Sequence, residues 1–241
     1  MGGFAGEFPK TAWTQVLKAK ERDAPEFRDA IDRLVRAYWK PVYWVIRTHW
    51  SKSNEDAKDL TQDFFLGFLE RDRLKNVGPE KGRFRTVVQV MLKNFLASSE
   101  AARRARKRGG TVHMFSLDGA TEAPASHSGL TVEELLDRTW AWTLWNGAQG
   151  ELRERYRAAG KEVYFTVLER YDLAPAPPSR EALALELGLS VHDVGNYLRH
   201  ARSALKEILR ERVRATLADE ADLESELRFL GAALGGSPPP A

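Results

Sequence analysis

Cysteine is absent from all 241 residues. That excludes a disulfide framework, a thiolate zinc site and a cysteine nucleophile. No apolar run approaches the roughly 20 residues that a membrane-spanning helix needs. The opening Met1-Gly-Gly-Phe-Ala-Gly-Glu-Phe-Pro-Lys10 has no basic segment followed by an apolar one, so no export signal is expected. Gly6 stands where a myristoylation signal carries Ser or Thr. The expectation is a cytoplasmic protein with no membrane partner. Catalytic signatures are missing as well. His49, His113, His127, His192 and His200 show no metal-ligand spacing with carboxylates, and there is no GxxxxGK[ST] loop or GxSxG elbow. Neither an enzyme, a cofactor nor a metal is expected. The net charge is only +3, so the placement of charges must carry any statement about partners.

Helical periodicity dominates what is present, and no alternating strand pattern of convincing length occurs. The fold class expected is all-α, with two helical domains joined by a flexible linker. After an N-terminal extension, 1–24, the first domain spans 25–108. Tyr38, Val42, Val45 and Ile46 fall on one helical stripe. Pro41 sits near a helix start or kinks the helix. Ser53 followed by Asp56 resembles a capping box, and Leu60, Phe64 and Phe68 form the inward face of the helix after it. Residues 76–83 read as a loop. Residues 109–130, rich in Gly, Ala, Ser and Thr, read as the linker. Thr131 and Glu134 form another capping box and open the second domain, 131–218. Trp140, Leu144, Val163, Phe165, Val167 and Leu168 are its candidate core. The tail, 219–241, is acidic and then amphipathic, and ends in a segment expected to be disordered. It has two expected places: packed on the second domain, or covering that domain's basic face through Asp219, Glu220, Asp222, Glu224 and Glu226.

Three stretches carry chemistry. Ala101–Arg108 holds five basic residues and no acid, a run suited to a phosphate backbone. Ser179–Leu187 and Ser190–Arg202, joined at Gly188, form a helix-turn-helix pattern. Ala182, Leu183 and Leu187 would pack the first helix, and Val194, Leu198 and Ala201 the second. That leaves Asp193, Asn196, Tyr197, Arg199, His200 and Arg202 facing out. Asn and Arg are the side chains that pair with base edges in the major groove. The third stretch, Asp56–Phe65, places Asp59, Gln62, Asp63 and Leu66 on one stripe. Phe65 and Leu66 have little use on a solvated face, so a basic protein partner is the sharper reading.

In this order the three stretches resemble a bacterial sigma factor of the extracytoplasmic-function type. The resemblance rests on Asp59-Leu-Thr-Gln62, on Gly82-Arg-Phe-Arg-Thr86 with Asn94, and on Ser190-Val-His-Asp-Val194 with Leu198 and Ala201. It covers nearly the whole chain except the tail. It implies that the first domain is similar to sigma region 2. Asp59, Gln62, Asp63 and Phe65 would then bind the β′ clamp helices of core RNA polymerase. Lys81, Arg83, Phe84, Arg85, Asn94, Arg103 and Arg104 would contact the −10 element as the duplex opens. Capture of an unstacked base suits that role. The second domain is similar to region 4, with Asn196, Tyr197, Arg199, His200 and Arg202 reading the −35 element of promoter DNA and with a docking site for the β flap.

The chain departs from the family pattern at several places. His192 and Asp193 replace the usual Gly-Thr, Gly195 and His200 replace frequent Lys and Arg, and Lys58 stands where many relatives carry an acid. Relatives similar in this helix are controlled by a Ser/Thr kinase acting on a threonine here. The resemblance therefore implies that phosphate on Thr61 restores the acidic patch. A Ser/Thr kinase or an anti-sigma factor is the regulatory partner that the resemblance implies. The rival reading is a helix-turn-helix regulator that never touches polymerase.

Overall fold

The computed structural model describes residues 27–68, 84–107, 130–217 and 220–235. Among the described residues every regular element is a helix, and no helix is long and apolar enough to cross a membrane. Two compact units are present. Of the described residues, one holds those up to Thr143 and from Arg214 onward, the other Leu144–Val213.

In the first unit, α1 (Phe27–His49) buries Tyr38, Val42, Val45 and Ile46, the stripe its sequence shows. The helix continues through Pro41, which is itself buried. Ser53 caps α2 (Asn54–Phe68), its Oγ accepting from the Asp56 N–H at 3.1 Å. The inward face of α2 is Ala57, Thr61, Phe64 and Phe65. Phe65 stacks on Trp39 at 5.7 Å, and Phe64 meets Phe95 edge-on at 5.6 Å. α3 (Phe84–Lys107) adds Val88, Met91, Leu92 and Leu96. Each fully buried aliphatic side chain of this kind contributes about 1.5–3 kcal/mol.

α4 (Val132–Ala158) opens with a reciprocal capping box. The Glu134 N–H donates to Thr131 Oγ1 at 3.1 Å, and the Thr131 N–H donates to Glu134 Oε2 at 2.8 Å. These bonds, the backbone one foremost, hold the Glu134 carboxyl below its ordinary pKa. The first half of α4 belongs to the first unit, where Leu135, Leu136 and Trp140 are buried. So the division falls within α4 at 143/144, not in the 109–130 segment, which lies outside the described residues except Leu130. A 27-residue helix with apolar residues in both halves serves two cores, and Trp140 serves the first.

The tail also belongs to the first unit. A 3-10 turn, Glu220–Asp222, leads into α8 (Leu223–Leu234), which buries Leu223, Glu226 and Leu230. The tail packs on α3 and on the first half of α4: Glu226 pairs with Arg85, and Phe229 meets Trp140, which lies in the stretch expected to open the second domain.

The second unit holds the rest of α4, then α5 (Glu162–Tyr171), α6 (Arg180–Leu187) and α7 (Val191–Arg214) up to Val213. Ala148, Leu152, Phe165, Leu168, Ala201, Leu205 and Ile208 make one apolar cluster. Val167, Leu183, Ala184, Val194 and Leu198 make another, which holds α6 against α7.

Candidate functional site

The α2 surface follows from the helix register. With Ala57, Thr61, Phe64 and Phe65 inside, Asp59, Gln62, Asp63 and Leu66 all face solvent. Leu66 is 59% exposed, large for an apolar side chain beside three polar ones. Lys58 and Asp56 are exposed too. Such a stripe offers two carboxylates and an apolar knob to one helical partner carrying cations.

Two expectations for this helix are corrected. Phe65 is only 5% exposed and stacks in the core, so Leu66 is the apolar residue on the surface. Thr61 is fully buried, and its hydroxyl donates to the Ala57 carbonyl at 2.6 Å. A phosphate there would put nearly two negative charges into an apolar interior, and no kinase reaches it while α2 is seated.

The helix-turn-helix is built from local signals. Ser179 Oγ accepts from the Ala182 N–H at 3.1 Å and starts α6. Gly188 ends it in the left-handed region at φ 65°, with the Leu189 N–H closing onto the Ala184 carbonyl at 2.9 Å. Ser190 then starts α7, accepting from the Asp193 N–H at 3.0 Å and donating to its carboxylate at 2.6 Å. Val194, Leu198 and Ala201 are buried as expected, whereas Ala182 is exposed and Ala184 takes its place inside.

On the outer face Arg199, His200 and Arg202 are exposed, and Asn196 and Tyr197 are half-buried. Not all are equally available. Arg202 is held bidentately by Asp172, both bonds at 2.7 Å. Tyr197 stacks on Tyr164 at 4.2 Å between ring centroids, and His200 meets the same ring edge-on at 6.1 Å. Arg199 donates to the Asn196 side-chain carbonyl at 2.5 Å. Asp172 and Tyr164 were not anticipated. Only the proximity of an aromatic and an acid to a basic helix, visible after folding, reveals them.

The third set surrounds Arg85. Its guanidinium lies against the rings of Trp140, at 4.3 Å, and Phe229, at 4.1 Å, which are tilted on each other with centroids 6.4 Å apart. Its Nε bonds Asp137 at 2.7 Å, and its Nη1 pairs with Glu226. Gln89 donates to the same Asp137 oxygen at 2.8 Å. Arg85 is 6% exposed and Glu226 2%. Burial raises the Asp137 pKa, with Arg85 opposing and Glu226 adding to the shift. Burial likewise pushes the nearby Tyr38 phenol well up, keeping it neutral. Asn94, a second expected DNA contact, is 7% exposed on α3. Neither Arg85 nor Asn94 is an open surface residue in this state. Lys81 and Arg83 lie outside the described residues, as do the side chains of Phe84, Arg103 and Arg104.

Among the described residues no cluster of three acidic or histidine side chains could hold a metal ion. No family model, curated protein or solved structure matches the chain.

Proposed function

We propose that the protein is a sigma factor of the extracytoplasmic-function type, which binds core RNA polymerase and brings it to promoters in the bacterial cytoplasm. One observation carries the reading. The chain has both an exposed Asp59–Gln62–Asp63–Leu66 stripe and a glycine-turned helix-turn-helix with Arg199 and His200 outward. A repressor needs the second and has no use for the first. In this reading the α2 stripe docks on the β′ clamp helices, with Leu66 in the role first given to Phe65. The face around α3 meets the −10 strand as it opens, and α7 reads the −35 element while its domain docks on the β flap. No phospho-switch at Thr61 forms part of this reading, because that hydroxyl lies in the core.

The test is binding of the purified chain to immobilised bacterial core RNA polymerase. Asp59→Lys combined with Asp63→Lys should weaken binding by about tenfold or more, since like charges then face a basic partner. Both sites are exposed, so the fold should survive, as circular dichroism would check. Folded wild-type protein that ignores polymerase yet binds duplex DNA would replace this reading with a polymerase-independent regulator.

A further inference from the structure

Arg85 and Glu226 are 141 positions apart in sequence and meet in a buried pair. Stability alone is a poor reason for such a pair. Apolar residues of similar volume often hold an interface as well or better, because two charges must be stripped of water. Glu226 also interrupts the apolar stripe of α8, sitting between Leu223 and Leu230 where another leucine would bury more simply. What α8 brings to Arg85 is a carboxylate and the face of an aromatic ring, from Glu226 and Phe229. A nucleotide brings the same two groups, an anionic phosphate oxygen and the π-face of a base.

We propose that the Arg85 site takes two ligands that exclude one another: α8 in cis, through Glu226 and Phe229, and single-stranded nucleic acid in trans, through a phosphate and a base. The inference rests on the promoter-opening reading above, since the strand is the one exposed as the duplex melts. The charge arithmetic favours exchange. Arg85 faces two carboxylates, so departure of Glu226 still leaves it paired with Asp137. Trp140 stays in place as a second ring for a base to lie against, 4.3 Å from the guanidinium. The seated tail thus lowers the apparent affinity for single strands by the fraction of molecules in which it is closed.

The experiment uses the full chain and a fluorescein-labelled single-stranded oligodeoxynucleotide of mixed sequence. Anisotropy reads affinity, and hydrogen exchange reads the seating of α8. Adding the strand to wild-type protein should speed exchange of the α8 amides. Glu226→Lys should tighten strand binding by about tenfold. Glu224→Lys makes the same change of charge on the same helix, at an exposed position, and should tighten it far less. Phe229→Ala, which alters no charge, should also tighten binding, with thermal melting as the check on folding. Equal tightening by the Glu224 and Glu226 variants would reduce the effect to bulk charge and overturn the proposal. So would strand binding that leaves α8 fully protected. If polymerase is still bound in either case, the sigma reading stands and only the exchange falls. If folded protein and variants bind neither strand nor polymerase, both fall together.

Discussion

His49, Thr61, Arg85, Gln89, Asn94, Thr139 and Glu226 are buried in the first unit, while among the described residues the second unit buries no polar or charged side chain to that degree. The second unit keeps its charges outside, in pairs such as Arg153–Glu169 and Arg157–Glu154, which contribute under about 1 kcal/mol each. Its fold is set by apolar clusters and helix caps. The first unit commits charge to its interior, where a lost partner is expensive. Buried polarity of that kind specifies which surfaces meet, and here it singles out α3, α4 and α8 as the elements whose contacts matter beyond packing.

Substitutions can break or sharpen this contrast. The largest effect should come from Arg85→Met, which leaves Asp137 and Glu226 without their shared cation. A loss of about 3–5 kcal/mol is expected in the denaturant transition of the first unit. That loss should shrink at acid pH. Burial raises the Asp137 pKa against the opposing pull of Arg85, so removal of Arg85 should raise it further, and protonation of Asp137 as pH falls then relieves more of the cost in the variant than in the wild type. In the second unit Leu198→Ala should cost about 2–5 kcal/mol by cavity formation, with no such dependence on pH.

Smaller effects test the caps and the recognition helix. Thr131→Ala should cost about 1 kcal/mol. The Glu134 pKa, followed by NMR titration, should move only part of the way back up, because the backbone N–H of residue 131 still donates to it. Since that pKa is lowered in the folded state, the cap's contribution is present above the ordinary carboxylate range and lost as pH falls through the lowered value. Gly195→Ala should raise the melting temperature of the second unit, worth up to about 1 kcal/mol. A Cβ there meets nothing within 4 Å. If the added methyl also weakens duplex binding, close backbone approach to DNA explains the glycine.

The second unit was the more legible of the two. Ser179, Gly188 and Ser190 act within a few residues of themselves, so the turn and both caps could be read locally, and so could Val194, Leu198 and Ala201 inside. The α1 stripe, the Ser53 cap and the Thr131 box are legible for the same reason. On α2 the run Phe64-Phe-Leu-Gly-Phe68 leaves the inward angle of the helix undecided by about one residue. That one residue separates a surface Phe65 from a buried one and a half-exposed Thr61 from a sealed one. The Arg85 site was invisible because its parts lie on α3, α4 and α8, and only tertiary packing brings them together. The one local clue was a glutamate inside the apolar stripe of the tail.

The most direct test of the sigma-factor proposal is to map RNA 5′ ends made on bacterial genomic DNA by core polymerase alone and by core polymerase with this protein. Discrete starts that need the protein, sharing upstream sequence at −10 and −35 and lost with Asp59→Lys and Asp63→Lys, are the expected result. Unchanged starts, with folded protein bound to the same DNA, would contradict the proposal.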